Sequence, residues 1–272
     1  MGRIKDKFHD LGKEGKKALI VYLTAGDPDL TKTKQIIRGL DAAGVDLLKI
    51  GVPFSDPTAD EPTIQAASQR ALKNGTTLSD VLEMIEAVRE FSDIPIVLIG
   101  YYNPFLNYGN QRFAERAKAS GVDGIVVVDL PPEEAAEMKK YTDKSEIDFI
   151  SVIAPTTPSE RIKKISKTAR GFLYYIPTTE GTKTAKPHFS AIKRDIQSIK
   201  GITRLPIIVG FGIATREQVR KISLYADGTV IGGAFVRLIQ ENSDNNDLVN
   251  IVSRYVKDIK TALASTTTTL LT

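Results

Sequence analysis

The sequence AGVDLLKI, residues 43–50, leads from the end of a helical pattern into an apolar run. A similar link, SGVDGIVVV, occurs at residues 120–128, and a weaker one, YADGTVIGG, at residues 225–233. In each link a small residue ends the helical pattern, and a strand-like run begins two or three residues later. A repeated link of this kind is typical of parallel strands that alternate with helices.

Eight apolar, β-branched runs occur along the chain, and a polar turn and a helical pattern follow each of them. Most are apolar on both faces, as expected of strands that have helices on one side and a barrel interior on the other. The alternation predicts an α/β fold, a single (β/α)8 TIM barrel. The predicted strands are Ala18–Leu23, Leu47–Gly51, Ile96–Tyr101, Gly124–Val128, Asp148–Ile153, Phe172–Ile176, Pro206–Gly210 and Gly228–Ile231.

We expect one domain over residues 1–264. It has an extra N-terminal helix and an extra helix, Thr63–Lys73, after the second strand. The second strand and its main helix are therefore joined by a long connection, and long loops in compact domains are usually functional. Residues 265–272, which include four consecutive threonines, have no helix-forming pattern and are predicted to be a disordered tail.

Composition excludes several classes of protein. The 37 basic residues exceed the 33 acidic ones by only four, and many lysines fall in helical patterns, so we expect no nucleic-acid partner. No cysteine is present, so disulfides and thiolate metal sites are excluded, and we expect no metal and no cofactor. No stretch approaches eighteen apolar residues, and the N-terminus lacks a signal pattern. We therefore expect a cytoplasmic protein that is not in a membrane.

Glycines follow the last two predicted strands at the same end of the barrel. The sequence GFGIA occupies residues 210–214 and GGAFV occupies residues 232–236. Bare backbone N–H groups at such turns can converge on an anion, and TIM barrels often bind phosphate there. The alternative is that the glycines only turn a strand into a helix. Two such pairs favour a small phosphorylated substrate.

Lys49 lies inside the second predicted strand. Strand alternation places its side chain on the same face as Leu47 and Gly51, and one face of a barrel strand points into the packed interior. A buried ammonium group without a partner is costly, so we expect Lys49 to be paired or to have a lowered pKa. The alternative is that the side chain extends outward between helices.

Two aspartates follow in the loop after this strand, which reads KIGVPFSDPTADEPTIQ over residues 49–65. Asp56 directly precedes Pro57, and its ordinary role is to form a turn. Asp60 comes two residues before Pro62, and its ordinary role is to cap the following helix. The pattern alone leaves open whether either residue is catalytic.

Six specific motifs occur in order over nearly the whole chain: YLTAGDPD at 22–29, GVPFSDPTAD with PTIQ at 51–65, YYNP at 101–104, GVDGIVVVDLP at 121–131, APTTP at 154–158 and VGFGI at 209–213. Together they closely resemble the tryptophan synthase alpha subunit family. The resemblance implies a barrel that cleaves indole-3-glycerol phosphate into indole and glyceraldehyde 3-phosphate by a retro-aldol reaction. It also implies a partner, the beta subunit, which carries pyridoxal phosphate and receives the indole.

The resemblance also implies roles for individual residues. Asp60 matches the carboxylate that assists at the indole nitrogen, and Tyr174 lies near it. The remaining matches are Tyr22 and Tyr101 for the indole pocket, Gly212 and Gly232 for phosphate-binding amides, and Pro53, Asp56 and Pro57 for the loop that meets a beta-type subunit.

Several departures from the family pattern fall at the same end of the barrel. Lys49 stands where the family has its catalytic glutamate, and Glu61 stands where it has a glycine. Lys183 replaces a glycine whose amide meets the phosphate, and Gly233 replaces a serine. We expect Glu61 to contact the substrate and Lys183 and Gly233 to contact its phosphate. Changes confined to one end of a scaffold indicate altered chemistry.

Two functions are therefore open. In the first, the chain is a carbon–carbon lyase, and Lys49 with a lowered pKa attacks a carbonyl to form a Schiff base while Asp60 or Glu61 transfers protons. In the second, Lys49 forms an inert pair with Asp60 or Glu61, and the chain is a noncatalytic subunit that binds and modulates a beta-type partner.

Overall fold

The computed structural model describes residues 2–177, 188–210 and 212–268, with side chains up to Leu263. Its strands all pair in parallel with their neighbours. They are β1 (Ala18–Thr24), β2 (Leu47–Gly51), β3 (Ile96–Gly100), β4 (Gly124–Val127), β5 (Asp148–Phe149), β6 (Ser151–Ile153), β7 (Leu173–Tyr175), β8 (Ile207–Gly210) and β9 (Gly228–Ile231).

The strands form a closed barrel. Their order in the sheet is β5-β4-β3-β2-β1-β9-β8-β7-β6, and the two strands at its ends are separated in the chain only by Ile150. The Ile150 N–H donates to the Ile125 carbonyl at 2.8 Å, so the pairing with β4 continues up to the break. The predicted barrel is confirmed. The predicted fifth strand is two short strands, because its first half pairs with β4 and its second half with β7.

The helices surround this barrel. They are α1 (Arg3–Lys13), α2 (Leu30–Ala42), α3 (Pro62–Lys73), α4 (Leu78–Arg89), α5 (Tyr102–Tyr108), α6 (Asn110–Ser120), α7 (Ala136–Lys144), α8 (Ser159–Thr168), α9 (Phe189–Lys200), α10 (Arg216–Ser223), α11 (Gly233–Glu241) and α12 (Leu248–Thr268). The structure contains the extra helices predicted before β1 and after β2, as α1 and α3. The sequence reading did not predict α5, which follows β3.

The C-terminal helix runs further than predicted. α12 continues to Thr268, so residues 265–268 of the predicted disordered tail have a helical backbone. Residues 269–272 lie outside the described part of the chain. Over the described ranges, no helix combines the length and the apolar composition that crossing a membrane requires.

The aspartate of each repeated link holds an adjacent strand in place. Each carboxylate accepts a backbone N–H at the start of that strand and also pairs with a basic side chain, which compensates for its partial burial. The N–H bonds run from Leu19 to Asp46 at 2.7 Å, from Ile96 to Asp123 at 2.8 Å and from Ile207 to Asp227 at 3.0 Å. The basic partners are Lys260, Arg89 and Lys200, respectively.

Apolar side chains form two layers. Leu48 and Ile50 belong to the layer between the strands and the outer helices, whereas Leu47 belongs to the barrel interior. Helix α1 contributes Ile4 and Phe8 to the interior layer. Ile4 lies against Gly124, the first residue of β4, so α1 closes the amino end of the barrel. Among the described residues, the barrel interior therefore opens at the carboxyl ends of the strands.

Candidate active site at the carboxyl ends of the strands

A cavity of about 170 Å³ lies at the carboxyl ends of the strands. Its walls combine strand residues with the loops that follow them. The lining residues are Tyr22, Lys49, Ala59, Asp60, Glu61, Ile64, Ile99, Val128, Val152, Tyr174, Ile176, Gly212, Val230, Gly232 and Gly233. Most of the predicted site residues therefore surround one cavity.

A larger cleft of about 450 Å³ lies at the opposite end of the barrel, between α1 and the loop after α9. It contains none of the predicted site residues. Two of its basic side chains, Lys17 and Lys200, are already paired with Asp227. The chemistry is therefore concentrated in the smaller cavity.

Lys49 points into the smaller cavity. Its side chain is buried, and Nζ lies 3.9 Å from the ring centroid of Tyr174 and 5.7 Å from that of Tyr22. Over the described part of the chain, Nζ has neither a hydrogen-bond partner nor an ion-pair partner. The aromatic faces stabilise a cation there, but they do not hold the amine in a salt bridge. The alternative in which Lys49 extends outward does not occur, and no inert pair with Asp60 or Glu61 forms.

The pKa values of Lys49 and Asp60 are both shifted toward neutral pH. Burial lowers the pKa of Lys49 to about 7, and the charge of Asp60 opposes that shift. Burial raises the pKa of Asp60 to about 6, while Lys49 and a hydrogen bond from Tyr101 counteract it. An amine that is often unprotonated and a carboxyl group that can hold a proton thus face one cavity near pH 7, as acid–base chemistry requires.

Tyr101 fixes the loop that carries Asp60. The Tyr101 hydroxyl accepts the N–H of Ala59 at 2.9 Å, and the ring of Phe54 lies 5.2 Å from the Tyr101 ring. Burial, reinforced by the charge of Asp60, raises the pKa of Tyr101 to about 12, so the hydroxyl stays protonated. Tyr101 is not among the described residues that line the cavity, so it holds the loop from outside the cavity.

The alternative role of Asp60 as a helix cap is wrong. Helix α3 begins at Pro62, and its N-cap residue is Glu61, whose side chain makes no capping hydrogen bond. The Asp60 carbonyl, rather than its carboxylate, accepts a hydrogen bond, from Gln65 at 2.9 Å. Pro62 occupies the first helical position, where its missing N–H leaves no donor unsatisfied and its fixed φ suits the helix. The Asp60 carboxylate is therefore free to face the cavity.

Tyr22 and Tyr174 form the wall around the amine. The Tyr22 hydroxyl lies 3.1 Å from Thr24 Oγ1, and burial keeps the pKa of both phenols above their usual range. Their hydroxyls occupy the space that a Cβ atom would need at Gly51 and at Gly210, respectively. These strand-end glycines therefore make room for the tyrosines.

The glycine turns are at the predicted place. Gly232 is the N-cap of α11, and the N–H groups of Phe235 and Val236 both bond to its carbonyl. The preceding amides of the helix have no partner within the helix. Gly212 has a φ of +66°, which favours glycine, and apart from its chain neighbours no described residue lies within 4 Å of where its Cβ would be. Lys183, the other predicted phosphate contact, lies outside the described residues.

Glu61 lies against the start of α11. A Cβ atom at Gly233 would stand 2.5 Å from Oε2 of Glu61, so the absence of a side chain there makes room for the carboxyl group. Burial raises the pKa of Glu61, and the charge of Arg237 opposes that shift. Glu61 thus lines the cavity next to Asp60, and its predicted contact with the substrate stays a prediction.

The predicted partner loop is only partly on the surface. Asp56 is exposed, whereas Pro53 and Pro57 are buried and shape the loop. Phe54, which the sequence reading did not single out, links this loop to Tyr101. The prediction that the loop meets a beta-type subunit stays a prediction.

Sequence reasoning missed the apolar part of the cavity. Three residues of the cavity wall each follow an interior residue by two positions: Val128 follows Val126, Val152 follows Ile150, and Ile176 follows Tyr174. Strand alternation was the signal that could have found them, because it places every second side chain on the interior face. Together with Ile64, they form an apolar wall suited to a flat or hydrophobic part of a substrate.

The family model for the tryptophan synthase alpha chain matches residues 8–264. The chain belongs to the tryptophan synthase alpha chain family. The alpha chain of Desulfatibacillum aliphaticivorans is 46% identical over 262 residues, which is 96% of this chain and 99% of that protein. The alpha chain of Geobacter sulfurreducens is 43% identical over 265 residues, 97% of this chain and all of that protein.

Solved structures of tryptophan synthase alpha chains share the fold. The tryptophan synthase subunit alpha of Legionella pneumophila str. Paris superposes with a TM-score of 0.91 at 35% identity, covering 97% of this chain and 99% of that one. The resemblance drawn from the six sequence motifs is therefore confirmed at the level of the family.

Proposed function

We propose that this chain is a carbon–carbon lyase of the retro-aldol type in which the amine of Lys49 forms a Schiff base with the substrate. The observation that carries the proposal is the position of Lys49, which is buried, unpaired within the described residues and directed into the cavity. Membership of the tryptophan synthase alpha chain family supports the reaction class. The lowered pKa supports the amine as a nucleophile.

The family relationship makes indole-3-glycerol phosphate, or a related phosphorylated compound, the first substrate to assay. A Schiff base needs a carbonyl group, and the glycerol chain of indole-3-glycerol phosphate carries hydroxyls only. The amine mechanism therefore favours a related compound that is a β-hydroxy ketone, in which one carbon separates the carbonyl carbon from the hydroxyl-bearing carbon. The apolar wall of Ile64, Val128, Val152 and Ile176 would take the hydrophobic part of that compound.

The proposed reaction passes through an iminium ion and an enamine on Lys49. The Lys49 amine adds to the carbonyl carbon, and protonation by Asp60 lets water leave, which gives an iminium ion. The Asp60 carboxylate then takes the proton of the β-hydroxyl group. The carbon–carbon bond breaks toward the iminium, an aldehyde departs, and an enamine remains. Protonation of the enamine and addition of water release the second product and regenerate the amine.

Tyr174 has a role in the same proposal. Its ring lies 3.9 Å from Nζ, on the side where the iminium charge would develop, and a ring face attracts such a cation. Tyr22 presents a second ring at 5.7 Å. The tyrosines would thus stabilise a positive charge without neutralising the amine as a carboxylate would.

Borohydride trapping tests the proposal. We expect that incubating the protein with a β-hydroxy ketone substrate and sodium borohydride adds one reduced adduct to the chain, and that peptide mass spectrometry places it on Lys49. The physical reason is that the iminium is the only intermediate that hydride reduces to a stable secondary amine. Lys257→Met, which changes an exposed lysine on α12, serves as the matched control and should be labelled as strongly as the unchanged protein.

One result would discard the Schiff base. Turnover without a trappable adduct, undiminished in Lys49→Ala, would show that the amine takes no part. If neither turnover nor adduct is found with any substrate, the second function, a noncatalytic subunit that binds a beta-type partner through the loop of Pro53, Asp56 and Pro57, becomes the better account.

A further inference from the structure

The start of α11 would ordinarily be the anion-binding end of this cavity. Gly232 and Gly233 carry no side chains, and the first amides of the helix have no partner within it. The helix dipole adds a partial positive charge at this end. Gly212 lines the same cavity.

The protein's own carboxyl group lies beside this end. Oε2 of Glu61 is 2.5 Å from the position that a Cβ atom at Gly233 would take. Glu61 reaches this place from the N-cap position of α3, where its side chain makes no capping hydrogen bond. The Glu61 carboxyl group therefore does not cap α3 and lies instead against the start of α11.

A second observation indicates that the cavity holds a ligand. Lys49, only 7% exposed, directs an amine without a partner among the described residues into the same cavity. The cavity therefore has an amine on one wall and two carboxyl groups, Asp60 and Glu61, on another. Arg237 offsets part of the charge of Glu61. A phosphate at the start of α11 would still place a further one or two negative charges beside Glu61, and close like charges are unfavourable in a poorly solvated site.

We infer that Glu61 and Gly233 form a matched pair that fills the anion position with the protein's own carboxyl group, so that the cavity takes a substrate ending in a hydroxyl group rather than in a phosphate. A hydroxyl group donates a hydrogen bond to a carboxylate and adds no charge. This inference deepens the proposed lyase function and rests on it for the reaction. It differs from the proposed function only in the substrate's end group, a hydroxyl group in place of the phosphate that the family relationship puts first.

Ligand binding tests the pair without any turnover. We expect sn-glycerol 3-phosphate, measured by isothermal titration calorimetry, to bind Glu61→Gly about tenfold or more tightly than the unchanged protein. Glu61→Gln keeps the size and removes the charge, so an affinity between those of the other two proteins is expected. Equal affinity of the unchanged protein and Glu61→Gly for sn-glycerol 3-phosphate would overturn the inference.

The second arm tests the match between the two positions. Gly233→Ser should lower the melting temperature of the unchanged protein, because its Cβ would collide with Oε2 of Glu61. In the Glu61→Gly background the same substitution should leave the melting temperature unchanged. An equal loss in both backgrounds would show that the positions are independent and would overturn the pairing.

The two proposals fail in different ways. Without an adduct on Lys49, the lyase mechanism fails, yet the calorimetric difference between Glu61→Gly and the unchanged protein is unaffected. If the unchanged protein binds sn-glycerol 3-phosphate tightly and still forms the adduct, the lyase mechanism stands and only the choice of substrate end group is wrong.

Discussion

Replacing Lys49 by Met should raise the melting temperature by roughly 5 to 10 °C at about pH 7. Burial lowers the pKa of Lys49 from 10.5 to about 7, which means that the folded protein pays to keep this group charged. The linked cost is on the order of a few kcal/mol in the free energy of unfolding. Met has a similar length and no charge, so it removes this cost and keeps most of the packing against Tyr22 and Tyr174.

The sign of the pH dependence follows from proton binding. Between about pH 7 and the unfolded value of 10.5, the unfolded chain binds more protons at Lys49 than the folded chain does, so the stability of the unchanged protein rises with pH. The advantage of Lys49→Met should therefore be largest near and below about pH 7 and disappear above about pH 10. Calorimetric unfolding at a series of pH values measures both the stability of the unchanged protein and the advantage of Lys49→Met.

The matched control is again Lys257→Met, whose lysine is exposed on α12. It should change the melting temperature little and without this pH dependence. A Lys49→Met protein no more stable than the unchanged one would contradict the buried, unpaired state of the amine. The same variant should form no borohydride adduct. A single substitution would thus raise the stability and abolish the adduct.

The double substitution Lys49→Glu with Glu61→Gly should release indole from indole-3-glycerol phosphate about 100-fold or more faster than the unchanged protein. The resemblance to the family places a catalytic glutamate at position 49 and a glycine at position 61. A carboxyl group at position 49 would be buried near Asp60, and burial with a like charge raises a carboxyl pKa toward neutrality. Removing Glu61 would open the start of α11 to the phosphate.

Colorimetric measurement of indole checks this expectation. Lys49→Gln with Glu61→Gly is the matched control, because glutamine has the size of glutamate without a proton to transfer, and it should stay at the rate of the unchanged protein. If the unchanged protein already releases indole as fast as the double variant, then neither Lys49 nor Glu61 redirects the chemistry. If Lys49→Glu alone suffices, Glu61 does not exclude the phosphate.

The barrel was predictable because its information is local. In the link AGVDLLKI, the aspartate, the small residues before it and the apolar run after it lie within eight positions, and Asp46, Asp123 and Asp227 repeat one hydrogen bond to an adjacent strand. The break at Ile150 was not predictable in this way. It arises because the two sides of one strand pair with different neighbours, and such pairing depends on closure of the whole sheet.

The site divides along the same line. The direction of Lys49 followed from alternation within one strand, and its burial followed from the interior face on which it lies. The contact between Glu61 and Gly233 joins α3 to α11, which are far apart in the chain, so no local pattern shows it. The N-cap position falls on Glu61 rather than on Asp60, because Pro62 begins the helix, and no side-chain cap forms there.

Helix α1 covers the amino end of the barrel, so among the described residues the cavity has one opening, at the carboxyl ends of the strands. The substrate and both products of the proposed reaction would therefore share this opening. In the proposed mechanism, the enamine fragment is bonded to Lys49 inside the cavity, so the free aldehyde leaves first. The order of release in that mechanism follows from the covalent bond to Lys49 together with the shared opening, and slow departure of a bulky aldehyde would slow the whole cycle.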